Sequence, residues 1–152
     1  MTKRAVLPIA VLIVVALSAS IGASGADKKV RLKDVPPAVQ NAIKEQTKGA
    51  TIVGLSEERE AGTVFYEVET TVSGRTRDLL LDSAGGVVEL EEEVTLDSVP
   101  AAVRTAFAAA GRVRKVEAVT KGTTVTYEAD VEAAGKRSEV IVDAHGRTVS
   151  KK

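Results

Sequence analysis

The residues that could do chemistry in this chain are carboxylates that alternate along two predicted β-strands. Glu67 and Glu69 lie two residues apart in TVFYEVETTV, and Glu128 and Asp130 lie two apart in TVTYEADVEA. Because successive side chains of a strand point to opposite faces, each pair shares one face of its strand. Such a surface could dock a basic protein, hold a hard cation between carboxylates, or use one carboxyl group as a general acid or base.

The same alternation extends to neighbouring strands and includes apolar side chains. The candidate partner-binding residues on this surface are Phe65, Glu67, Glu69, Asp78, Leu80, Glu128, Asp130, Glu139 and Ile141. An ordinary solvated sheet face, with cross-strand pairing between acidic and basic side chains, is the alternative explanation. The basic side chains concerned are Arg75, Arg77, Lys136 and Arg137. No calcium-loop spacing is present, so we assign no metal ligand.

The sequence gives little support for catalysis. It contains no cysteine and no G-x-S-x-G, P-loop or H-E-x-x-H motif. Its one histidine, His145, falls in a predicted turn without a nucleophile to serve. Acid–base catalysis needs a carboxyl group with a raised pKa in a pocket, whereas these carboxylates are expected on an open surface. We therefore predict a protein that is not an enzyme, with no catalytic residue and no cofactor.

Composition limits the partners and the type of core. The chain has 21 basic and 21 acidic residues, which argues against nucleic acid, because nucleic-acid binding requires a concentrated basic surface. Hydrophobic residues make up 44% of the chain and aromatic residues only 3%, so the core must consist mainly of Val, Leu, Ile and Ala. Without cysteine, the fold must be stable without disulfides.

The N-terminus has the organisation of a secretory signal peptide. MTKR supplies a positive region, an unbroken apolar run follows, and small residues precede the charged DKK. We assign residues 1–26 to the signal peptide, with cleavage after Ala26, and predict a periplasmic or secreted protein. The alternative is an uncleaved anchor, which would be the chain's only contact with a membrane. The apolar run is too short, at about 22 Å as a helix, to cross a hydrocarbon core of about 30 Å.

A nearly repeated segment indicates two similar units. VPPAVQNAI at 35–43 resembles VPAAVRTAF at 99–107. Both have the i, i+3, i+4 apolar spacing of an amphipathic helix. Asp34 and Ser98 could cap the helix starts, and Gly49 and Gly111 could end the helices.

After each helix the hydrophobic period changes to two, which is typical of half-buried strands separated by glycine turns. The predicted strands are 51–60, 63–72, 75–82, 87–92, 113–121, 123–133, 136–143 and 146–150. The predicted fold class is α+β, with two tandem helix-plus-antiparallel-meander repeats at 27–93 and 94–152 and the helices packed on one face of the sheet. We expect the two units to join edge to edge; two independent units on a linker are the alternative.

These features resemble the PepSY-like domains. The matching residues are Tyr66-Glu67-Val68-Glu69 with Leu81-Asp82 and Gly85, then Tyr127-Glu128-Ala129-Asp130 with Val142-Asp143 and Gly146. The tandem arrangement is similar to that of the β-lactamase-inhibitor-like proteins. The resemblance covers about residues 30–150. It implies an exported, non-catalytic, protein-binding module, since PepSY domains are proposed to restrain peptidases and the tandem proteins are similar to an enzyme inhibitor.

The sequence therefore favours an exported binding module that docks or inhibits another protein, such as an envelope or secreted enzyme, through its open sheet face. The alternative is an extracytoplasmic sensor that binds a cation or small ligand on the same acidic face.

Overall fold

The structure is a computed structural model that describes residues 28–149. These residues form one antiparallel sheet of eight strands, in which neighbouring strands in the sheet are also consecutive in the chain. The strands are β1 (Lys28–Lys29), β2 (Thr51–Glu60), β3 (Thr63–Val72), β4 (Arg75–Asp82), β5 (Val87–Glu93), β6 (Arg112–Lys121), β7 (Thr124–Ala133) and β8 (Lys136–Asp143). The predicted signal peptide at residues 1–26 lies outside the described residues.

Two ten-residue helices, α1 (Pro37–Gln46) and α2 (Ala101–Ala110), each follow a short 3-10 turn. Val39 and Ile43 of α1, and Val103 and Phe107 of α2, lie one turn apart and are fully buried. This spacing gives each helix a single apolar stripe toward the sheet. Within residues 28–149 there is no helix long and apolar enough to span a membrane.

The prediction that Asp34 and Ser98 cap the helices is wrong. The residues at the N-cap positions are Pro36 and Pro100, and no side chain caps either helix. Asp34 instead accepts a hydrogen bond from the Nε of Arg31 at 2.5 Å. The Ser98 hydroxyl donates to the carbonyl of the residue three positions earlier, at 2.7 Å. Both side chains therefore stabilise the preceding 3-10 turns.

Two apolar clusters fill the space between the helices and the sheet. The buried members of the first are Val35, Val39, Ile43, Tyr66, Val68, Leu79 and Leu81. Those of the second are Val99, Val103, Phe107, Val116, Ala129, Val131 and Val142. Burying one such aliphatic or aromatic side chain stabilises a fold by about 1.5–3 kcal/mol, so these clusters hold the helices on the sheet.

Each helix also rests on a glycine of a strand-ending turn. A Cβ added to Gly85 would lie 2.7 Å from the Ala38 carbonyl oxygen of α1. At Gly146 the corresponding distance, to the Ala102 carbonyl oxygen of α2, is 2.5 Å. Both glycines have positive φ, at 84° and 75°. The turns therefore need glycine for their backbone conformation and for close approach of the helices.

The predicted fold class is wrong. Strand residues make up 54% of the structure and helical residues 21%. The fold is therefore mostly β, with one sheet instead of two tandem helix-plus-meander repeats. β5 pairs with β6 from Leu90↔Thr120 to Glu93↔Glu117, so no sheet edge separates the two parts. Joining them satisfies backbone groups that free edges would leave unpaired.

The two parts also differ in their strands. Four strands lie between α1 and α2, whereas three follow α2 within the described residues. Of the predicted strand at 146–150 the structure describes residues 146–149, which form no strand, and Thr148 makes an isolated bridge to Val142. The other predicted strands lie within one residue of the observed boundaries.

Candidate functional site

One face of the sheet has no helix on it. Leu90 packs against the first cluster and pairs across strands with Thr120, whose neighbours in β6 include Val116 of the second cluster. Since Thr120 and Val116 share strand parity, both helices lie on the same face. We call the opposite surface the open face. Its central residues are Phe65, Glu67, Glu69, Asp78, Leu80, Glu89, Glu91, Glu117, Val119, Glu128, Asp130, Glu139 and Ile141.

The structure brings all nine candidate binding residues onto the open face. The pairs directly across strands are Glu67↔Leu80, Glu69↔Asp78, Phe65↔Asp82, Glu128↔Ile141 and Asp130↔Glu139. Glu69 and Asp130 are exposed, and the other seven are partly buried by their neighbours. Their role in binding remains a prediction.

Carboxylates crowd around Leu80 in the β2–β5 part of the open face. Glu67 and Glu89 flank Leu80 on the adjacent strands. Glu69 and Glu91 flank Asp78 in the same way one row further along. Opposing residues of antiparallel strands have Cβ atoms about 4.5–5.5 Å apart, so these carboxyl groups must interact.

Glu67 is hydrogen-bonded to Glu58. Burial raises the pKa of Glu67 to about 7, assisted by a hydrogen bond with Glu58 and repulsion from Glu58 and Glu69. The Ser56 hydroxyl, which donates to Glu67 Oε2 at 3.3 Å, acts in the opposite direction. Near neutral pH the Glu67 carboxyl group therefore exists in both its neutral and its charged form.

Glu91 forms a second carboxyl pair with Glu89. Burial raises the pKa of Glu91 to about 8, and a hydrogen bond to Glu89 and repulsion from Glu89 and Glu117 add to this. Glu89 is only 7% exposed, and it binds Lys121 Nζ at 2.9 Å. A neutral Glu91 can donate a hydrogen bond to the Glu89 carboxylate. The two carboxyl groups can then lie side by side without the repulsion of two negative charges.

Asp78 lies between these two pairs and is held by the backbone. Its Oδ1 accepts the Thr70 N–H at 3.0 Å. Burial raises the pKa of Asp78, although this hydrogen bond opposes the change. This hydrogen bond holds the Asp78 carboxyl group in place between the carboxyl groups of the adjacent strands.

The sequence assignment omits several residues of the open face. The period-two pattern of the sequence places Glu89 and Glu91 of β5 on the same acidic face, although they are not among the nine candidates. Glu58 and Glu117 depend on register shifts between Ile52 and Gly54 in β2 and between Val113 and Lys115 in β6. Such a bulge reverses the facing of every later residue in the strand. In β2 the interior Gly54 is a sequence signal for the bulge, whereas β6 has no glycine at its register shift.

The open face has only a small depression. The depression among its carboxylates has a volume of about 30 Å³, far below the roughly 300–1,000 Å³ of typical small-molecule sites. In the part of the chain that the structure describes, no three His, Cys, Asp or Glu side chains are placed to hold a metal ion.

A separate, open groove of about 420 Å³ lies near the β3–β4 turn and is lined by Val72, Ser73, Arg75, Thr76, Arg77, Glu92 and Glu93. It contains none of the nine candidate residues.

The fold is similar to that of several solved structures. A BLIP-like protein of Bacteroides fragilis is 22% identical, with a TM-score of 0.57 over 78% of this chain and 85% of that one. A predicted periplasmic protein of Bacteroides eggerthii is 22% identical, with a TM-score of 0.62 over 78% and 88%. A DUF2874 family protein of Bacteroides uniformis is also 22% identical, with a TM-score of 0.61 over 76% and 87%.

These likenesses confirm, at the level of the fold, the resemblance to β-lactamase-inhibitor-like proteins. No protein-family model matches the chain, and no curated protein matches it.

Proposed function

We propose that this protein is an exported, non-catalytic binding module that docks another protein on its open face. The observation that carries the proposal is the one-sided covering of the sheet. Both apolar clusters lie under helices, whereas partly buried Phe65, Leu80 and Ile141 lie among carboxylates with no element of the described chain above them. An antiparallel sheet with one uncovered face is a natural docking surface.

The shape of the face and the fold likenesses support this function. A surface with only a small depression suits a protein partner better than a small molecule. The similar structures include a BLIP-like protein and a predicted periplasmic protein, which fits export and protein binding. In this proposal residues 1–26 are a signal peptide cleaved after Ala26, and the mature chain acts in the periplasm or outside the cell.

Affinity capture with matched variants tests the proposal. The mature chain, beginning at residue 27, is immobilised and exposed to extracts of the cell envelope. The open-face variant carries Glu67→Lys, Asp78→Lys and Glu128→Lys. The control variant carries three charge reversals at exposed acidic residues of the helix side: Asp34→Lys, Glu45→Lys and Asp97→Lys. Circular dichroism and thermal melting establish that each variant is folded.

We expect the wild type and the control variant to capture the same proteins at similar levels, and the folded open-face variant to lose them. Equal capture by the open-face variant, or no specific capture by the wild type, would count against docking on this face. If Asp78→Lys prevents folding, the double variant with Glu67→Lys and Glu128→Lys provides the same comparison.

A further inference from the structure

Charge is balanced differently in the two parts of the open face. In β6, Lys115 binds Glu117 at 2.7 Å, and Lys121 reaches across to Glu89. The β2–β5 part carries six carboxylates around Leu80: Glu58, Glu67, Glu69, Asp78, Glu89 and Glu91. Within residues 28–149, the Lys121–Glu89 contact is the only salt bridge to any of these six.

On the helix side of the same strands, acidic side chains are paired with basic ones. There Arg77 Nε binds Glu92 at 3.1 Å, and Arg59 binds Glu57 at 2.9 Å. The open face of β2–β5 instead relieves its crowding by carboxyl–carboxyl hydrogen bonds, at Glu58 with Glu67 and at Glu89 with Glu91. A positive group from outside the chain would stabilise these carboxyl groups better than hydrogen bonds between them do.

We propose that the docked partner presents an arginine-containing basic segment, which lies over β3–β5 with a guanidinium group near Leu80. This inference rests on the proposed function and specifies its partner. It does not require a metal site or an enclosed pocket, because the ligand is a side chain on a protein surface.

Arginine fits this surface better than lysine or a metal ion. Its planar guanidinium has five donors and can bridge carboxylates on neighbouring strands, whereas a lysine ammonium is a compact point charge. The aliphatic part of an arginine side chain can pack against Leu80, and its guanidinium can form a cation–π interaction with the Phe65 ring in the adjacent row.

Binding should be linked to protons. A guanidinium that binds Glu67 or Glu91 favours the charged form of that carboxyl group, so affinity should rise with pH. The titratable groups that face this region are Glu58 of β2, Glu67 and Glu69 of β3, Asp78 and Asp82 of β4, Glu89, Glu91 and Glu93 of β5, Lys115, Glu117 and Lys121 of β6, and Glu128 of β7.

The probe is hexaarginine amide, compared with hexacitrulline amide, which has nearly the same shape without charge. Calorimetric titration of the mature chain at low salt, at pH 5.5 and 8.5, measures both affinity and proton release in buffers of different ionisation enthalpy. We expect at least tenfold tighter binding of hexaarginine than of hexacitrulline. We also expect at least a tenfold gain for hexaarginine from pH 5.5 to 8.5, with protons released near neutral pH.

Two double variants separate this site from general attraction to an acidic protein. Glu67→Gln with Glu91→Gln should lose most of the affinity at pH 8.5 and most of its pH dependence. The control, Glu45→Gln with Asp97→Asn, removes the same charge elsewhere and should bind within about twofold of the wild type.

Equal binding of the two peptides, or an equal loss in the control variant, would overturn the inference. Saturable binding of calcium that Glu67→Gln with Glu91→Gln abolishes, without a preference for hexaarginine, would overturn it in favour of a cation site. The proposed function is judged separately. If charge reversal abolishes envelope capture while hexaarginine shows no preference, docking on the open face stands and the partner has another chemistry.

Discussion

Stability measurements on Glu91→Gln can test whether buried carboxyl groups on the open face repel one another. Replacing Glu91 with Gln keeps the size of the side chain and a donor for Glu89, while removing the charge that burial and Glu89 oppose. The pKa of Glu91 rises from 4.5 to about 8 on folding, so the folded state holds a proton that the unfolded state releases. The stability linked to this group is therefore complete below about pH 4.5 and is lost as pH rises toward 8.

The size of the effect follows from the pKa change. Each pKa unit corresponds to about 1.4 kcal/mol, which sets an upper limit of about 5 kcal/mol for the full change. Glu91 remains partly exposed, so water screens its interactions, and part of the penalty belongs to the pair with Glu89. We expect Glu91→Gln to be about 1–2 kcal/mol more stable than wild type at pH 8.5, and nearly equal to it at pH 4.5.

Urea denaturation followed by far-ultraviolet circular dichroism measures this difference, because the chain has no Trp to serve as a fluorescent probe. In thermal melting the same gain at pH 8.5 corresponds to an increase of about 3–8 °C. Glu60→Gln, at an exposed site beside the β2–β3 turn, is the control and should show no comparable gain. If Glu91→Gln is no more stable than Glu60→Gln at pH 8.5, the crowded-carboxylate interpretation is wrong.

Two further predictions concern the turns. Gly146→Ala should destabilise the protein by about 2–4 kcal/mol in chemical denaturation, because its Cβ would meet the Ala102 carbonyl oxygen at 2.5 Å. Gly122→Ala, which has positive φ but open space around it, should cost only about 1 kcal/mol, and equal losses would refute a contact with α2. Ala61→Asn should raise the free energy of unfolding by about 0.5 kcal/mol in thermal melting. Ala61 has a φ of 47° in a two-residue hairpin turn, and such turns favour Asn-Gly. A decrease in stability would contradict this explanation.

Local patterns in the sequence predict most of the elements but not the register in which they assemble. The period-two alternation of β3, with Tyr66 and Val68 buried and Glu67 between them, can be read directly from the residues. The expectation that the two units join edge to edge is confirmed by the pairing of β5 with β6, but the alternation of either strand does not give the register of that pairing. The acidic run at Glu91–Glu93 in β5 gives no sign that its backbone joins another strand, yet Glu93 pairs with Glu117.

The candidate site is partly predictable for the same reason. Alternation correctly places Glu67 and Asp78 on one face once β3 and β4 are known. It does not place Glu58, because the register shift in β2 changes which side chains face outward. Nor can alternation predict that Glu89 is almost completely buried, since that depends on the side chains of β4 and β6 that surround it.

The cost of the carboxyl groups is the strongest physical reason to connect the open face with binding. A sheet face that only needs to be soluble can place acidic and basic side chains opposite each other, as Arg77 and Glu92 are on the helix side. The open face instead buries Glu91 beside Glu89, and burial followed by the interaction with Glu89 raises the pKa of Glu91 to about 8, which lowers stability at neutral pH. Groups that weaken the free protein and contribute nothing to its core are expected where a ligand supplies the missing interactions. A cationic partner would do so here, because it would convert the repulsion between these carboxylates into attraction across the interface.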